Sequence, residues 1–155
     1  MNFKIKHLKE VKAVIPTLSE WHIDGWGDEY NISSRDQVKG WMLAGVTSLE
    51  IPRTFVALDG EKPIGMISLE QEDGLLTTET PWLSSLYVAK EYRKKGIGEV
   101  LVKHILDYAK SMPYKTVYLL TFHDALVVWY TQQGWYTLRE DVINGNKCTV
   151  MCFDI

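Results

Sequence analysis

The sequence predicts an α/β protein in which about four helices cover one mixed sheet of about seven strands. Short segments that are apolar or alternate in polarity recur along the chain, and segments with apolar residues at helical spacing interrupt them. The resulting order is strand, two helices, three strands, helix, strand, helix and two strands, which is typical of a sheet with helices packed against it. The length of 155 residues favours a single domain over residues 1–155.

The first third of the chain carries one strand and two helices. Alternating polarity in "NFKIKHL" predicts the first strand. Apolar residues at helical spacing in "VKAVIPTLSEWHIDGW" predict a helix that Pro16 interrupts. In "SSRDQVKGWMLAG", Ser34 and Gln37 form the capping box of a second helix. The apolar stripe of that helix consists of Val38, Trp41 and Met42.

The remaining elements alternate strands with helices and close with a hairpin. The segments "TFVALD" and "PIGMISLE" predict two strands joined by the loop 60–62, and "PWLSSLYVA" predicts a fourth. A helix then ends near Pro113, and the unbroken apolar run "TVYLLTF" predicts a central strand buried on both faces. The segment "DALVVWYTQQG" predicts a short helix with Asp124 as N-cap and Gly134 beyond its end. "WYTLREDV" and "KCTVMCFDI" predict a hairpin around residues 144–146.

Composition excludes several classes of function. A net charge of −3 gives no global attraction to nucleic acid or to a membrane surface. The N-terminus does not resemble a signal peptide, and the chain lacks a run of about 18 apolar residues that could span a membrane. Cys148 and Cys152 lie on one predicted strand about 13 Å apart, too far for a disulfide. We expect a soluble protein of a reducing cytoplasm, with no metal site.

The segment "EYRKKGIGEV", residues 91–100, places three cations before a Gly-Ile-Gly step at a strand–helix junction. The first N–H groups of a helix lack intrahelical partners, and the helix dipole adds partial positive charge. Gly96 and Gly98 let an anion approach that backbone closely. The segment therefore predicts a phosphate or pyrophosphate site or, alternatively, a tight turn with solvated lysines. It matches neither the P-loop nor the dinucleotide fingerprint, because Gly-Lys-Ser/Thr does not occur and Leu101 replaces the third glycine.

Two sequence blocks resemble the GNAT superfamily of N-acetyltransferases. "SSLYVAKEYRKKGIGEVLV" is similar to its acetyl-CoA-binding segment, in which Arg/Gln-x-x-Gly-x-Gly/Ala opens a helix. "WYTQQGWY", following "TVYLLTF", is similar to its later Tyr-x-x-x-Gly-Phe/Trp motif, and the element order agrees over the whole chain. The resemblance implies a GNAT-like mixed, mostly antiparallel sheet that is splayed between strands 4 and 5, and acetyl-CoA as co-substrate without a metal.

The resemblance also implies the residues that hold the coenzyme. Backbone amides of the basic corner would bind the pyrophosphate, and the pantetheine arm would pair with the fourth strand. One N–H group of that strand would polarise the thioester carbonyl. The implied residues of the fourth strand are Leu86, Tyr87 and Val88. Those of the corner are Arg93, Lys94, Lys95, Gly96, Ile97, Gly98 and Glu99.

Three residues are candidates for proton transfer. Tyr130 aligns with the tyrosine near the coenzyme sulfur, the family's general acid, although it could also simply pack. Many relatives carry a glutamate base on the fourth strand at the position of Trp82, so we expect Glu79 to act through water or to be a solvated loop charge. His123 follows the central strand and suits proton transfer near neutral pH, or bonds local backbone. The preceding loop holds two further carboxylates, Glu72 and Asp73.

The resemblance implies an acceptor pocket between the first two helices, the loop before the fourth strand and the C-terminal hairpin. The acidic and aromatic run "WGDEY" suits a cationic amine there or, alternatively, its tryptophan is core and its acids lie at the surface. The candidate lining residues are Trp26, Glu29, Tyr30 and Trp82. The predicted reaction is transfer of an acetyl group to a primary amine of a small molecule or peptide, directly within a ternary complex. The alternatives are a non-catalytic acyl-CoA-binding module and a plain structural domain. The apolar "TVMCF" near the C-terminus would allow a homodimer.

Overall fold

The computed structural model describes residues 2–155, which form one sheet and four α-helices. The strands are β1 (Lys4–His7), β2 (Arg53–Asp59), β3 (Lys62–Glu70), β4 (Trp82–Val88), β5 (Thr116–Thr121), β6 (Tyr136–Ile143) and β7 (Asn146–Asp154). The helices are α1 (Ile15–Trp26), α2 (Arg35–Thr47), α3 (Ile97–Lys110) and α4 (Asp124–Thr131). The predicted number and order of strands and helices are confirmed.

The seven strands follow the order β1-β2-β3-β4-β5-β7-β6 across the sheet. Neighbouring strands are antiparallel except β4 and β5, which are parallel. Within residues 2–155, the β4–β5 ladder contains the single pair Trp82–Tyr118, next to a bond from the Tyr118 N–H to the Pro81 carbonyl (3.0 Å). Beyond this point the two strands separate, which confirms the splayed, mostly antiparallel sheet.

The two faces of the sheet bury separate apolar clusters. On one face, α3 presents six buried residues, among them Leu101 and Ile105, and these pack over Leu119 of β5. On the other face, α1 and α2 cover Val56 and Met66 of the sheet. Because side chains of a strand alternate between the faces, both clusters draw on the same strands. Helix α3 thereby packs against strands on both sides of the splay, whereas α1 and α2 cover residues of β2, β3 and β4.

The N-terminal helices differ from the prediction at two residues. Pro16 lies in the first turn of α1, where its missing N–H costs no intrahelical bond, so the helix continues unbroken to Trp26. The predicted N-cap of α2 is confirmed, since the Ser34 hydroxyl accepts a bond from the Gln37 N–H (3.3 Å). Trp41, predicted in the buried stripe, is instead 49% exposed.

Strand β5 and helix α4 also differ from the prediction, in their burial and in their N-cap residue, respectively. The strand alternates between buried and half-buried residues and is not buried on both faces, because one side of it borders the gap to β4. Helix α4 begins at Asp124, and His123 occupies the N-cap position without a capping side-chain bond. Gly134 follows the helix at a φ of +98°, as predicted for a residue beyond a helix end.

The C-terminal hairpin turns through Asn144 (φ +49°) and Gly145 (φ +80°), the backbone of a type I′ turn. Strand β7 lies between β5 and β6, so the apolar segment "TVMCF" is inside the sheet and offers no free surface. The edge strand is β6, with exposed Tyr136, Leu138 and Val142. The homodimer stays a prediction, and its expected surface is now the edge strand β6 and not β7. Cys148 and Cys152 are free and buried, as expected.

Candidate active site

A cavity of about 480 Å³ opens where β4 and β5 separate. Its walls include Leu86 and neighbouring residues of β4, Leu120 of β5, Trp26 of α1, Trp41 of α2 and Tyr130 of α4. The loop that follows β3 closes one side. The volume is within the range typical of small-molecule sites. The fold therefore brings the predicted fourth strand, the tyrosine motif and part of the predicted acceptor pocket to a single place.

A β-bulge in β4 shapes the floor of this cavity. The pairing with β3 passes from Met66–Tyr87 to Ser68–Ser84, so two residues of β4 occupy the space of one. Ser85 adopts a φ of +55° there, and its hydroxyl lies 3.3 Å from His22 Nδ1. Burial lowers the pKa of His22 to about 4, so the imidazole is neutral at neutral pH. The bulge interrupts the β3–β4 ladder at the residues of β4 that line the cavity.

The basic corner forms the predicted strand–helix junction. Gly96 adopts a φ of +83° immediately before α3, a conformation that favours glycine. A Cβ added there would have only Glu99 Oε2 nearby, at 3.9 Å, so the space in front of the helix start is open. Arg93 is tied back to β4, because its Nε donates to the Val88 carbonyl (2.8 Å) and its guanidinium lies over the Tyr87 ring. The helix-start amides, not the Arg93 side chain, are free to face a ligand.

Helix α4 is attached to this corner through Trp129. The indole Nε1 donates to Glu99 Oε1 (2.9 Å), so the Glu99 side chain is bound within the protein. A Cβ at Gly98 would lie 3.2 Å from the Trp129 ring, so the second glycine of the motif provides close packing between α3 and α4. Tyr130, the next residue, lines the cavity.

Tyr130 is positioned as a neutral phenol. It is only 5% exposed, and its ring packs edge-on against Trp129 and Trp135. Burial, with a smaller contribution from the Asp73 carboxylate, raises the pKa of Tyr130 above its ordinary value. The hydroxyl therefore keeps its proton at neutral pH and can donate it inside the cavity.

Three carboxylates line the cavity: Glu70 at the end of β3, and Glu72 and Asp73 in the following loop. Burial, then the charge of Glu72, raises the pKa of Glu70 to about 7. Burial, then the charge of Glu70, also raises the pKa of Asp73. A carboxylate with a pKa near neutrality is suited to act as a general base.

Glu70 was missed by reasoning from the sequence. It lies directly opposite Trp82 in the β3–β4 ladder, and opposite residues share a face of the sheet. The carboxylate that many relatives carry on the fourth strand is thus replaced by one on the neighbouring strand. The strand register between β3 and β4 could have identified Glu70. The register can be derived from the sequence only when the length of the loop between these strands and the position of the β4 bulge are known.

Four of the predicted catalytic and acceptor residues lie outside the cavity lining. Glu79 forms a bidentate ion pair with Arg139 (2.8 Å for both bonds), which lowers its pKa. Trp82 is fully buried and donates its indole N–H to the Glu79 carbonyl (2.7 Å). His123 is exposed at the start of α4, and Glu29 accepts a bond from Asn144 Nδ2 at its carbonyl. Of the predicted acceptor residues, Trp26 and Tyr30 line the cavity and Trp82 and Glu29 do not.

Two searches of residues 2–155 gave no further site. No group of three or more His, Cys, Asp or Glu side chains in this part of the chain is arranged to hold a metal ion. None of the helices formed by these residues is long and apolar enough to cross a membrane.

A model of the acetyltransferase (GNAT) family matches residues 15–135. N-alpha-acetyltransferase 30 of Schizosaccharomyces pombe is 32% identical over 84 residues, which cover 53% of this chain and 56% of that protein. N-acetyltransferase 8 of Homo sapiens is 35% identical over 68 residues, which cover 43% of this chain and 30% of that protein. The matches thus span about half, or less, of the length of these curated relatives.

Solved structures support the same fold. The ribosomal-protein-alanine N-acetyltransferase of Brucella melitensis superposes with a TM-score of 0.76 at 16% identity, covering 98% of this chain and 99% of that chain. A GNAT-family acetyltransferase from Streptococcus pneumoniae superposes with a TM-score of 0.72 at 13% identity, covering 99% of both chains. Because the family model spans most of the sequence, the chain belongs to the GNAT family of acetyltransferases.

Proposed function

We propose that this protein is an acetyltransferase enzyme that moves an acetyl group from acetyl-CoA to a primary amine of a small molecule or peptide, directly within a ternary complex. One observation carries the proposal: the buried phenol of Tyr130 and the carboxylate of Glu70 line the same cavity, at the place where β4 leaves its ladder with β5. A proton donor and a proton acceptor with separate pKa ranges are the two groups that acyl transfer to an amine requires.

The residues around the gap fit the donor. The open space before Gly96 and the unpaired amides of the first turn of α3 suit a pyrophosphate. The β4 edge beyond Trp82 has no partner strand within residues 2–155, so its backbone groups can pair with an extended pantetheine arm. Bound there, acetyl-CoA supplies the acetyl group as an activated thioester. A backbone N–H near the bulge, from Leu86 to Val88, would polarise the acyl oxygen.

Glu70 is the proposed general base. An alkylammonium has a pKa near 10.4 and cannot attack until it loses a proton. The Glu70 carboxylate accepts that proton, directly or through one water, and later releases it to solvent. With a pKa of about 7, it is ionised in a large fraction of molecules at neutral pH and is more basic than an ordinary glutamate.

Tyr130 is the proposed general acid. As the new C–N bond forms and the C–S bond breaks, the sulfur leaves as a thiolate, and the Tyr130 hydroxyl donates a proton to it. The nitrogen releases its second proton as the amide forms, and that proton, passed through water, restores the Tyr130 phenol. The net change is an ammonium and a thioester converted to an amide, a thiol and one proton. Asp73 favours the protonated phenol before the reaction, because its charge opposes ionisation of Tyr130.

Two measurements test the proposal. Calorimetry with acetyl-CoA should detect binding, and thiol release with a panel of amines should detect turnover. Binding without turnover on any amine would indicate the non-catalytic module, whereas absence of binding at millimolar coenzyme would refute both functions. Glu70→Gln should retain coenzyme binding and lose turnover, because the substitution preserves shape and removes the proton acceptor.

A further inference from the structure

The charge of the cavity is unbalanced. Its walls contain the carboxylates of Glu70, Glu72 and Asp73, and among residues 2–155 no Lys or Arg lines it. The one basic side chain in the lining, His22, is neutral at neutral pH. Transfer of a proton from the reacting amine neutralises Glu70 but leaves the other two carboxylates without a counter-charge. Asp73 is half-buried, and a half-buried carboxylate is costly unless a cation pairs with it, whereas Glu72 is exposed.

Aromatic rings share the walls with these acids. Trp26, Tyr30 and Trp41 all line the cavity, and Trp41 is 49% exposed although it belongs to the apolar stripe of α2. The ring faces of tryptophan and tyrosine attract cations, and the attraction is stronger in a partly desolvated site. The exposed Trp41 indole at the cavity wall is therefore available to contact a bound cation.

Two hydroxyls of buried residues also point to a ligand. Ser84 is 7% exposed and Tyr130 is 5% exposed, and both line the cavity. Neither hydroxyl has a hydrogen-bond partner in the part of the chain that the structure describes, residues 2–155. The residues are buried, but their hydroxyl oxygens are not among the buried atoms without a partner, so both hydroxyls are open to the cavity and available to the polar atoms of a bound molecule. Their position is independent of the acidic loop, because Ser84 lies on β4 and Tyr130 on α4.

The acidic loop is fixed against Tyr30, in the turn that follows α1. The Tyr30 hydroxyl donates to the Asp73 carbonyl (3.2 Å). Gly74 has a φ of +90°, and an added Cβ there would lie 2.8 Å from the Tyr30 ring. The loop thus holds Glu72 and Asp73 at the wall of the cavity.

We infer that the acceptor is a small dication: a primary amine that receives the acetyl group and carries a second cationic nitrogen a few bonds away. This acceptor class rests on the proposed acetyl transfer at the same cavity. The first nitrogen gives its proton to Glu70. The second stays charged and is held by Glu72, Asp73 and the tryptophan rings. A volume of about 480 Å³ suits a short diamine.

Calorimetry on the full chain tests the charge requirement without relying on turnover. The probes are putrescine, n-butylamine and aminobutanol, which share a four-carbon chain and differ only at the second end. Putrescine should bind at least about tenfold more tightly than either monoamine. Equal affinities, or absence of binding by all three probes, would overturn the inference.

Two variants with the same chemical change locate the second cation. Glu72→Gln should reduce the preference for putrescine over n-butylamine to about threefold or less. Glu61→Gln, in the exposed β2–β3 turn, should keep the parent preference. An unchanged preference in Glu72→Gln would overturn the assignment.

Thiol release with the same three amines separates this inference from the proposed function. Selective putrescine binding without thiol release would support the dication site and refute acetyl transfer to it. Equal thiol release from putrescine and n-butylamine, with equal binding, would support the transfer and refute the dication.

Discussion

Replacing Glu70 with glutamine should stabilise the protein while it removes the base. The pKa of Glu70 rises from 4.5 to about 7 because the carboxylate is partly buried and faces Glu72. At 1.36 kcal/mol per pKa unit, ionising Glu70 in the folded protein costs about 3 kcal/mol more than in the unfolded chain. Cavity water reaches the side chain, so we expect about 1–2 kcal/mol of this penalty to be expressed.

The way in which the stability depends on pH gives the sign of the expected stability change. A carboxyl whose folded pKa is raised binds its proton more tightly in the folded state, so parent stability falls as pH rises from 4.5 to about 7. Glutamine cannot ionise and avoids this loss. At about pH 8, Glu70→Gln should therefore melt at a higher temperature, by about 2–4 °C per kcal/mol. At about pH 4, where both side chains are neutral, the difference should disappear.

Thermal denaturation of the parent and the variant across this pH range measures the effect. Glu61→Gln is the matched control and should stay within about 0.5 kcal/mol of the parent. In thiol-release assays, kcat/KM of the parent should rise with pH through about 7, and Glu70→Gln should lack that rise. A variant that is no more stable than the parent at high pH would refute the electrostatic reasoning. Retention of parental turnover would refute the role as base.

Three further substitutions test other parts of the site. Tyr130→Phe should lower turnover about a hundredfold or more with coenzyme affinity retained, whereas Tyr136→Phe on the edge strand should not; unchanged turnover would remove Tyr130 from the mechanism. Gly96→Glu should abolish coenzyme binding in calorimetry, whereas Gly96→Asn, with similar backbone strain of about 1 kcal/mol and no charge, should retain it. Glu79→Gln should lower stability by about 1–2 kcal/mol at neutral pH, because the ion pair with Arg139 is lost. The loss should be smaller at acid pH, where the Glu79 carboxylate of the parent is protonated. A large loss of turnover with unchanged stability would restore the catalytic role of Glu79.

The parts of the fold that depend on local patterns were predictable. The N-cap at Ser34, the turn at Gly145 and the glycine that opens α3 each follow from a residue whose conformational preference is strong. Apolar periodicity identified all seven strands, because it too is a local pattern of the sequence. It did not show that one side of β5 borders a gap, because an apolar run has the same appearance whether its second face meets a helix or a ligand cavity.

The parts of the site that the main chain forms were predictable from the sequence. The parts whose side chains are placed by the strand register were not. Gly96 and Tyr130 belong to motifs of fixed spacing; the structure places Gly96 at the start of α3 and Tyr130 in the cavity lining, and their roles stay predictions. Glu70 and Glu79 are both acids near strand ends, and only the pairing of β3 with β4 directs the first into the cavity and leaves the second beside Arg139. Trp82 was assigned to the acceptor wall because the family resemblance places acceptors beside the loop before the fourth strand, yet its fully buried indole lies outside the cavity lining.

The contact between Trp129 and the start of α3 has a consequence for how the sequence can vary. Residues 98, 99 and 129 constrain one another. The Trp129 indole leaves no room for a side chain at Gly98, and its N–H needs the Glu99 carboxylate. Changes at these positions should therefore be strongly non-additive, and a smaller residue at 129 should make alanine at 98 tolerable. The second glycine of the coenzyme motif is in this protein a requirement set by the neighbouring helix as much as by the ligand.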